Sequence, residues 1–149
     1  MNDIILISGG FDPVHSGHIM LIQEASKFGN VVILLNSDQW LRNKKGKEFL
    51  PYKEREIIMG FFKNVIDVIS FDDTDKTCID GIRKAIRKYP NHKIKFANGG
   101  DRNDKTTPNS ETIFCEKNGV ETLWSIGGDT KKNSSSLILQ RWKEKIKND

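Results

Sequence analysis

Two histidines stand three residues apart near the start of the chain, in a segment whose residue types suit phosphate binding. His15 and His18 lie in segment 9–18 (GGFDPVHSGH), directly after the apolar run 4–7 (IILI). Imidazoles donate hydrogen bonds to phosphate oxygens, and the free N–H groups of a helix start also attract anions. Glycines after a strand let a ligand approach the backbone closely. We therefore interpret segment 9–18 as a phosphate-binding turn. Zinc is a weaker alternative, because no cysteine or third histidine has suitable spacing.

Length and composition restrict the class of protein that can carry this turn. The 149 residues predict a single domain, 1–149, and the formal net charge of +4 is compatible with anionic substrates. Cys78 and Cys115 are far apart, which predicts free thiols in a reducing compartment. No apolar run is long enough to span a membrane, and no signal peptide is expected. We expect a cytoplasmic protein.

Short apolar runs alternate with amphipathic segments along the whole chain, which predicts five parallel strands joined by helical crossovers. The expected fold is α/β: a Rossmann-like, doubly wound, five-stranded parallel sheet with helices on both faces. We predict strands at 4–7, 31–35, 65–70, 93–97 and 120–124. Helices are predicted at 17–28, 37–42, 52–62, 76–88, 110–117 and 134–146. Residues 43–48 are predicted to form a basic loop. We expect Gly29 to end the first helix as a glycine cap.

The polar segments of interest all follow the carboxyl ends of predicted strands, where doubly wound sheets bind their ligands. Besides segment 9–18, these are segment 36–38 (NSD) with the adjacent lysines, segment 98–102 (NGGDR) and the serine run 134–136. No Gly-x-Ser-x-Gly elbow, reactive-cysteine context or Walker loop is present in the sequence. The sequence therefore lacks the local motifs of these other mechanisms.

These residues resemble a known family. The segment FDPVHSGH resembles the His-x-Gly-His signature of the nucleotidylyltransferase superfamily, which includes heptose-1-phosphate adenylyltransferase and glycerol-3-phosphate cytidylyltransferase. Gly99-Gly100-Asp101 resembles the Gly-Gly-Asp of the heptose enzyme, and the serine run 134–136 resembles the hydroxyl residues that open the family's last helix. The resemblance covers nearly the whole chain.

The resemblance implies transfer of a nucleotidyl group to a phosphate monoester, with release of pyrophosphate. The first interpretation is adenylyl transfer from ATP to a phosphorylated sugar or polyol, with Mg²⁺ held mainly by the phosphates. The implied catalytic residues are His15, His18 and Lys44. The implied nucleotide-binding residues are Gly9, Gly10, Phe11, Asp12, Gly99, Asp101, Ser134, Ser135 and Ser136. The implied acceptor-binding residues are Asp38, Lys45, Arg55 and Arg102.

Two roles stay open on the residues alone. Asp12 could help bind Mg²⁺ or could orient its turn by bonding nearby backbone N–H groups. Arg55 could contact a phosphate or form an ion pair with Glu48 or Glu54. The lysines of segment 42–47 could belong to a lid that closes over phosphates.

Alternative functions differ in the nucleotide or in the class of protein. The second interpretation is a cytidylyltransferase that uses CTP and glycerol 3-phosphate or a similar acceptor. Where cytidylyltransferases tend to carry an arginine before the last helix, this chain has Asp129, which favours ATP. The third is a non-catalytic nucleotide-binding or RNA-binding module, but no aromatic stacking face or dense basic stripe is evident. We expect small-molecule substrates, a homodimer, and neither nucleic acid nor membrane as a partner.

Overall fold

The strands and helices follow the alternation that the sequence predicts. In this computed structural model, the structure describes residues 3–99, 109–126 and 134–148. The strands are β1 (Ile4–Gly9), β2 (Asn30–Leu35), β3 (Val65–Ser70), β4 (Ile94–Gly99) and β5 (Glu121–Ile126). The helices are α1 (Ser16–Ala25), α2 (Asp38–Lys45), α3 (Tyr52–Phe61), α4 (Ile79–Lys88), α5 (Ser110–Lys117) and α6 (Ser135–Asn148).

All five strands pair in parallel in the order β3-β2-β1-β4-β5, so β1 lies at the centre. The chain moves outward from β1 through β2 to β3 and then crosses back to β4, which puts the topological switch between β1 and β4. Alternate residues of β1 enter two separate cores. Leu6 packs with Ile82 of α4 on one face, and Ile7 packs with Ile22 of α1 and Met59 of α3 on the other. The predicted doubly wound fold is therefore confirmed.

Two helix boundaries differ from the prediction for backbone reasons. Helix α1 ends at Ala25, one turn before Gly29. A Cβ on Gly29 would lie 2.4 Å from the carbonyl oxygen of Asp3, so this glycine is required by a close chain crossing and not by a helix cap. Helix α4 begins at Ile79 and not at residue 76, because Lys76 has a φ of 69°, which is incompatible with a right-handed helix.

Segment 43–48 was predicted as a loop, and this prediction is wrong for its first three residues, 43–45, which are helical, whereas Lys47 lies outside the helix as predicted. Lys44 and Lys45 form the last turn of α2, which ends at Gly46 with a φ of 90°. The glycine accepts the left-handed backbone that terminates the helix, and cations in a last turn interact favourably with the helix dipole. The two ammonium groups are thus carried on a regular helix, whereas a flexible loop was expected.

Candidate active site at the carboxyl edge of the sheet

A cleft of about 610 Å³ opens at the carboxyl ends of the central strands, where the sequence predicts ligand binding. Most of the predicted site residues that the structure describes line it. The lining includes Gly9, Gly10, Phe11, Asp12, His15, His18, Lys44, Lys45, Ser134, Ser135 and Ser136. It also includes Trp40, whose sequence position beside Asp38 and the lysines made it the most interesting of the three tryptophans, and Lys76 and Glu111, which the sequence interpretation did not select.

The two histidines form the start of α1 together. His15 is the N-cap residue, and its Nδ1 accepts a hydrogen bond from the backbone N–H of Gly17 at 3.1 Å. The backbone N–H of His15 in turn donates to Nδ1 of His18 at 3.2 Å. The two rings stack with centroids 3.8 Å apart, and Phe11 meets His18 edge-on at 4.7 Å. This arrangement fixes both rings before any ligand is present.

These backbone contacts also fix the proton on each ring. A nitrogen that accepts a hydrogen bond does not carry the proton of a neutral imidazole, so the proton of each neutral ring lies on Nε2. In each neutral ring, Nε2–H is then a donor. A pair of N–H donors on stacked rings beside a helix N-terminus suits the oxygens of one phosphate group.

Asp12 has a role that the sequence left open. Its carboxylate is buried and accepts hydrogen bonds of 2.6 Å from the backbone N–H groups of both Phe49 and Leu50. The ammonium of Lys45 lies 3.2 Å from the same carboxylate and also donates to the Asp12 carbonyl. Of the two alternatives, the structure therefore shows Asp12 bonding backbone N–H groups, which orients the turn. Lys45 lines the cleft with its charge already paired.

Arg55 connects the turns that follow β1 and β2. Its side chain is fully buried and donates to the carbonyls of Leu50, Gly10 and Asn36, while Nη2 lies 2.6 Å from the carboxylate of Asp38. Four of the five N–H donors of the guanidinium have protein acceptors, and the side chain is fully buried, so Arg55 does not present its charge to a substrate in the cleft. The structure corrects the expected acceptor contact of Arg55 and its pairing with Glu48 or Glu54. Asp38 and Arg55 position the turns from beneath the cleft.

Asp73 stabilises the turn after β2, a contact that the sequence analysis did not predict. It is buried and accepts hydrogen bonds from the side-chain amide of Asn36 and from both the backbone N–H and the hydroxyl of Ser37. The Ser37 hydroxyl also caps α2 by accepting from the N–H of Trp40. Only the proximity of the β2 and β3 carboxyl ends brings Asp73 to this turn. A local sequence motif does not reveal such a contact.

Two lysines add positive charge on the β2 and β3 side of the cleft. The ammonium of Lys44 lies 4.9 Å from the centre of the Trp40 ring, a cation–π distance. Lys76, in the loop between β3 and α4, lines the cleft with a left-handed backbone. In the part of the chain that the structure describes, no carboxylate lies within 4.0 Å of its ammonium. Strained residues of this kind concentrate at functional sites.

The start of α6 closes the cleft from the opposite side. The Ser134 hydroxyl accepts from the backbone N–H of Leu137, and the Ser135 hydroxyl donates to the carbonyl of Pro13 at 2.6 Å. The helix N-terminus therefore lies against the histidine turn. Gly99 ends β4 on the neighbouring side, whereas Asp101 and Arg102 lie outside the described residues. Their predicted roles stay predictions.

The cysteines and the acidic residues restrict the chemistry of the site. Both cysteines are free and buried, and burial raises the pKa of Cys78 to about 12 and of Cys115 to about 11. Neither is a thiolate nucleophile at neutral pH.

Among residues 3–99, 109–126 and 134–148, no group of three His, Cys, Asp or Glu side chains could hold a metal ion. The same residues contain no helix long and apolar enough to cross a membrane.

Comparison with known proteins identifies the class to which this fold and cleft belong. The cytidylyltransferase-like family model matches residues 6–148, so the chain belongs to that family.

Several proteins resemble the chain more specifically. It is 28% identical over 145 residues to the bifunctional protein HldE of Syntrophotalea carbinolica, covering 95% of this chain and 28% of that protein. It is 31% identical over 124 residues to HldE of Citrobacter koseri, covering 80% of this chain and 24% of that protein. The chain thus spans about a quarter of the length of these relatives.

Solved structures support the fold alone, because their sequence identity is low. A lipopolysaccharide core biosynthesis protein from Thermoplasma volcanium has a TM-score of 0.59 and 18% identity, over 83% of this chain and 97% of that one. A putative nicotinate-nucleotide adenylyltransferase from Vibrio parahaemolyticus has a TM-score of 0.56 and 18% identity, over 97% of this chain and 89% of that one.

Proposed function

We propose that this nucleotidyltransferase moves an adenylyl group from ATP to the phosphate of a small phosphorylated sugar or polyol and releases pyrophosphate. The observation that carries the proposal is the pair of fixed imidazole donors, His15 and His18, facing the N-terminus of α6 across a cleft rich in lysine. The similarity to HldE and the Gly-Gly-Asp sequence at 99–101 favour ATP and a sugar phosphate.

The reaction needs positioning more than acid–base chemistry. The second pKa of a phosphate monoester is near 6, so its oxygen is a competent nucleophile at neutral pH. That oxygen forms a bond to the α-phosphorus of ATP, and the bond from the α-phosphorus to the bridging oxygen breaks. The electron pair leaves with pyrophosphate. The enzyme must offset the repulsion between the anions and hold them in line.

Each side of the cleft supplies one part of this task. The Nε2–H groups of His15 and His18 stabilise charge on the α-phosphate, where it grows in the transition state. The N–H groups and hydroxyls at the start of α6 bind the β- and γ-phosphates. Lys44 and Lys76, which both line the cleft, hold the acceptor phosphate on the side of β2 and β3.

Mg²⁺ enters this scheme as part of the triphosphate substrate. Asp12, the carboxylate closest in sequence to the histidines, is already bonded to two backbone N–H groups and Lys45. The described side chains therefore fit a magnesium ion coordinated mainly by phosphate oxygens and water, in the manner usual for Mg²⁺–nucleotide complexes.

Pyrophosphate release measured over a matrix of substrates tests the proposal. The matrix crosses ATP, CTP, GTP and UTP with hexose 1-phosphates, heptose 1-phosphate and glycerol 3-phosphate, at fixed Mg²⁺. We expect turnover with ATP and a sugar 1-phosphate. If turnover occurs only with CTP and glycerol 3-phosphate, CTP replaces ATP as the proposed nucleotide substrate. No turnover in any combination, from protein that stays folded by circular dichroism, would overturn it.

Lys76 offers a sharper test of the acceptor side. Lys76→Met should raise the KM for the acceptor about tenfold while leaving the KM for ATP unchanged, because one charge-assisted contact is lost. Lys63→Met is the matched control, since Lys63 is exposed and precedes the other end of the same strand, β3. An equal rise in both KM values would place Lys76 on the triphosphate instead.

A further inference from the structure

Trp40 lines the cleft on the side that the proposed function assigns to the acceptor. It lies in the first turn of α2, soon after β2, and its backbone N–H donates to the Ser37 hydroxyl at 3.1 Å. Its side chain is partly buried, unlike Trp142, which is 56% exposed on α6 and lies outside the cleft lining. An aromatic side chain that packs against the protein and is also open to a cleft is a candidate for ligand contact.

The neighbours of this indole restrict its position. A Cβ on Gly10 would lie 2.7 Å from Cδ2 of Leu41 and 3.6 Å from Cζ3 of Trp40, so α2 packs against the turn after β1 where only a glycine leaves room. Lys44, one turn further along α2, has its ammonium 4.9 Å from the centre of the Trp40 ring. The ring therefore lies beside the turn that leads to the histidines and next to a cation that lines the same cleft.

The indole also carries a hydrogen-bond donor that the described residues leave unused. Among residues 3–99, 109–126 and 134–148, no acceptor is bonded to Nε1–H of Trp40. Nε1 is also not among the described side-chain atoms that are buried without a partner. A tryptophan N–H that is buried usually has a protein partner, whereas an accessible one can donate to a ligand. Trp40 thus presents both an apolar ring and a donor.

These two features match the two kinds of surface on a sugar ring. The C–H face of the ring is apolar and packs against an aromatic face, and the hydroxyl oxygens accept hydrogen bonds from an N–H donor. A nucleobase also stacks on aromatic rings. However, the topological switch, where doubly wound sheets bind nucleotides, lies between β1 and β4. Trp40 follows β2, on the opposite side of β1, so the acceptor is the better partner.

We propose that Trp40 is a specificity-determining residue, which packs against one face of the acceptor's sugar ring and donates from Nε1–H to a hydroxyl of that ring. This inference rests on the proposed function, in which Lys44 holds the acceptor phosphate. A phosphate bound by that ammonium lies next to the indole, so the ring attached to the phosphate reaches Trp40. An open-chain polyol has no rigid face and must lose rotational freedom to lie on the indole. The site consequently selects a cyclic sugar phosphate over a polyol phosphate such as glycerol 3-phosphate.

Calorimetric titration of the full chain tests this selection without turnover. A non-hydrolysable ATP analogue with Mg²⁺ is titrated first, followed by pentose, hexose or heptose 1-phosphate or by glycerol 3-phosphate. We expect at least one cyclic sugar phosphate to bind more tightly than glycerol 3-phosphate. Trp40→Leu should weaken that sugar phosphate about tenfold, because a ring contact and a hydrogen bond are lost. Glycerol 3-phosphate and the ATP analogue should bind as before.

Two further variants separate the ring from the donor and from general effects of tryptophan removal. Trp40→Phe keeps an aromatic ring and removes Nε1–H, so it should weaken the sugar phosphate only about threefold. Trp142→Leu is the matched control, because Trp142 lies outside the cleft lining, and it should bind every ligand as the wild type does. Retained circular dichroism shows that each variant is folded.

Tryptophan fluorescence gives a readout that a merely structural role of Trp40 would not move. A saturating sugar phosphate should change the emission of the wild type and of Trp142→Leu but not that of Trp40→Leu. A wild type that binds no cyclic sugar phosphate more tightly than glycerol 3-phosphate would overturn the proposal. So would a Trp40→Leu variant that weakens all ligands equally or none of them.

The role of Trp40 and the proposed reaction fail in different experiments. Turnover of ATP with a sugar phosphate that is insensitive to Trp40→Leu would refute the role of Trp40 and leave the reaction standing. Absence of turnover in the substrate matrix, with the Trp40-dependent binding preference intact, would refute the reaction and leave the sugar contact standing.

Discussion

The two walls of the cleft are built differently. The wall formed by the turns after β1, β2 and β3 is connected by buried charged groups: Asp12, Arg55 and Asp73. The wall formed by the start of α6 belongs to a helix in which no residue is buried, and it contacts the histidine turn through the Ser135 hydroxyl. In the described part of the chain, the first wall is therefore held by buried charged groups, whereas the second is formed by a helix without buried residues.

This difference has a functional reason. Charges that face a transition state are most effective when their orientation is fixed in advance, because no reorganisation is then needed during the reaction. The histidines and lysines lie on the connected wall. In the proposed reaction, the start of α6 binds the outgoing pyrophosphate and must also release it, and a wall without buried residues suits release. The following predictions test this contrast, in order of decreasing expected effect.

The largest effect is expected when the guanidinium of Arg55 is removed from the wall that is linked by buried charged groups. Arg55→Met should lower the free energy of unfolding by about 3–5 kcal/mol, because Asp38 and the carbonyls of three turn residues lose their buried partner. Urea unfolding measures this loss. The control is Arg83→Met, whose exposed guanidinium lies 4.0 Å from Asp80 and should contribute well under about 1 kcal/mol. Equal losses in the two variants would contradict the connected-wall interpretation.

Removal of one imidazole should affect turnover more than folding. His18→Ala should lower kcat by about a hundredfold or more, since one donor to the transition state is lost. Initial rates of pyrophosphate release provide the measurement. His92→Ala, a histidine beyond α4 and outside the cleft lining, should leave the rate unchanged. A rate for His18→Ala within about threefold of the wild type would remove His18 from its proposed role, because that corresponds to less than about 1 kcal/mol.

Asp73 should contribute an intermediate amount of stability. In Asp73→Asn, a single amide oxygen replaces the two oxygens that now accept three hydrogen bonds from Asn36 and Ser37. The expected loss is about 1–2 kcal/mol in urea unfolding. Asp75→Asn changes an exposed side chain that bonds only Thr77 of its own loop, and it should change stability by less than about 0.5 kcal/mol.

The lightly held wall should give the smallest effect on stability. Ser135→Ala removes one hydroxyl-to-carbonyl hydrogen bond and should lower the free energy of unfolding by about 1 kcal/mol or less. It should still raise the KM for ATP severalfold, because the start of α6 loses its attachment to the histidine turn. Ser26→Ala removes a similar hydrogen bond, to Gln23, away from the cleft and should leave KM unchanged. A loss from Ser135→Ala as large as that from Arg55→Met would show that the two walls are not different.

Some of the fold and the site could be predicted from local patterns, and some could not. The five strands and six helices follow from apolar periodicity, which depends on residues close in sequence. The last turn of α2 was mistaken for a loop because a run of lysines has no apolar periodicity, although lysine is a good helix former. The start of α4 was placed too early because the left-handed backbone of Lys76 carries no glycine signal.

The sequence by itself indicated the family to which the chain belongs, because segment 9–18 contains its strand end, glycines, histidines and helix start in one continuous stretch. Only the tertiary structure decided which charged groups face the substrate. Arg55 bonds Gly10, which is 45 residues away along the chain. Asp73 bonds Asn36, which is 37 residues away. Such contacts arise where parallel strands end side by side, and no local pattern specifies them. A buried charge must find a partner, and that partner is known only when the strands are in place.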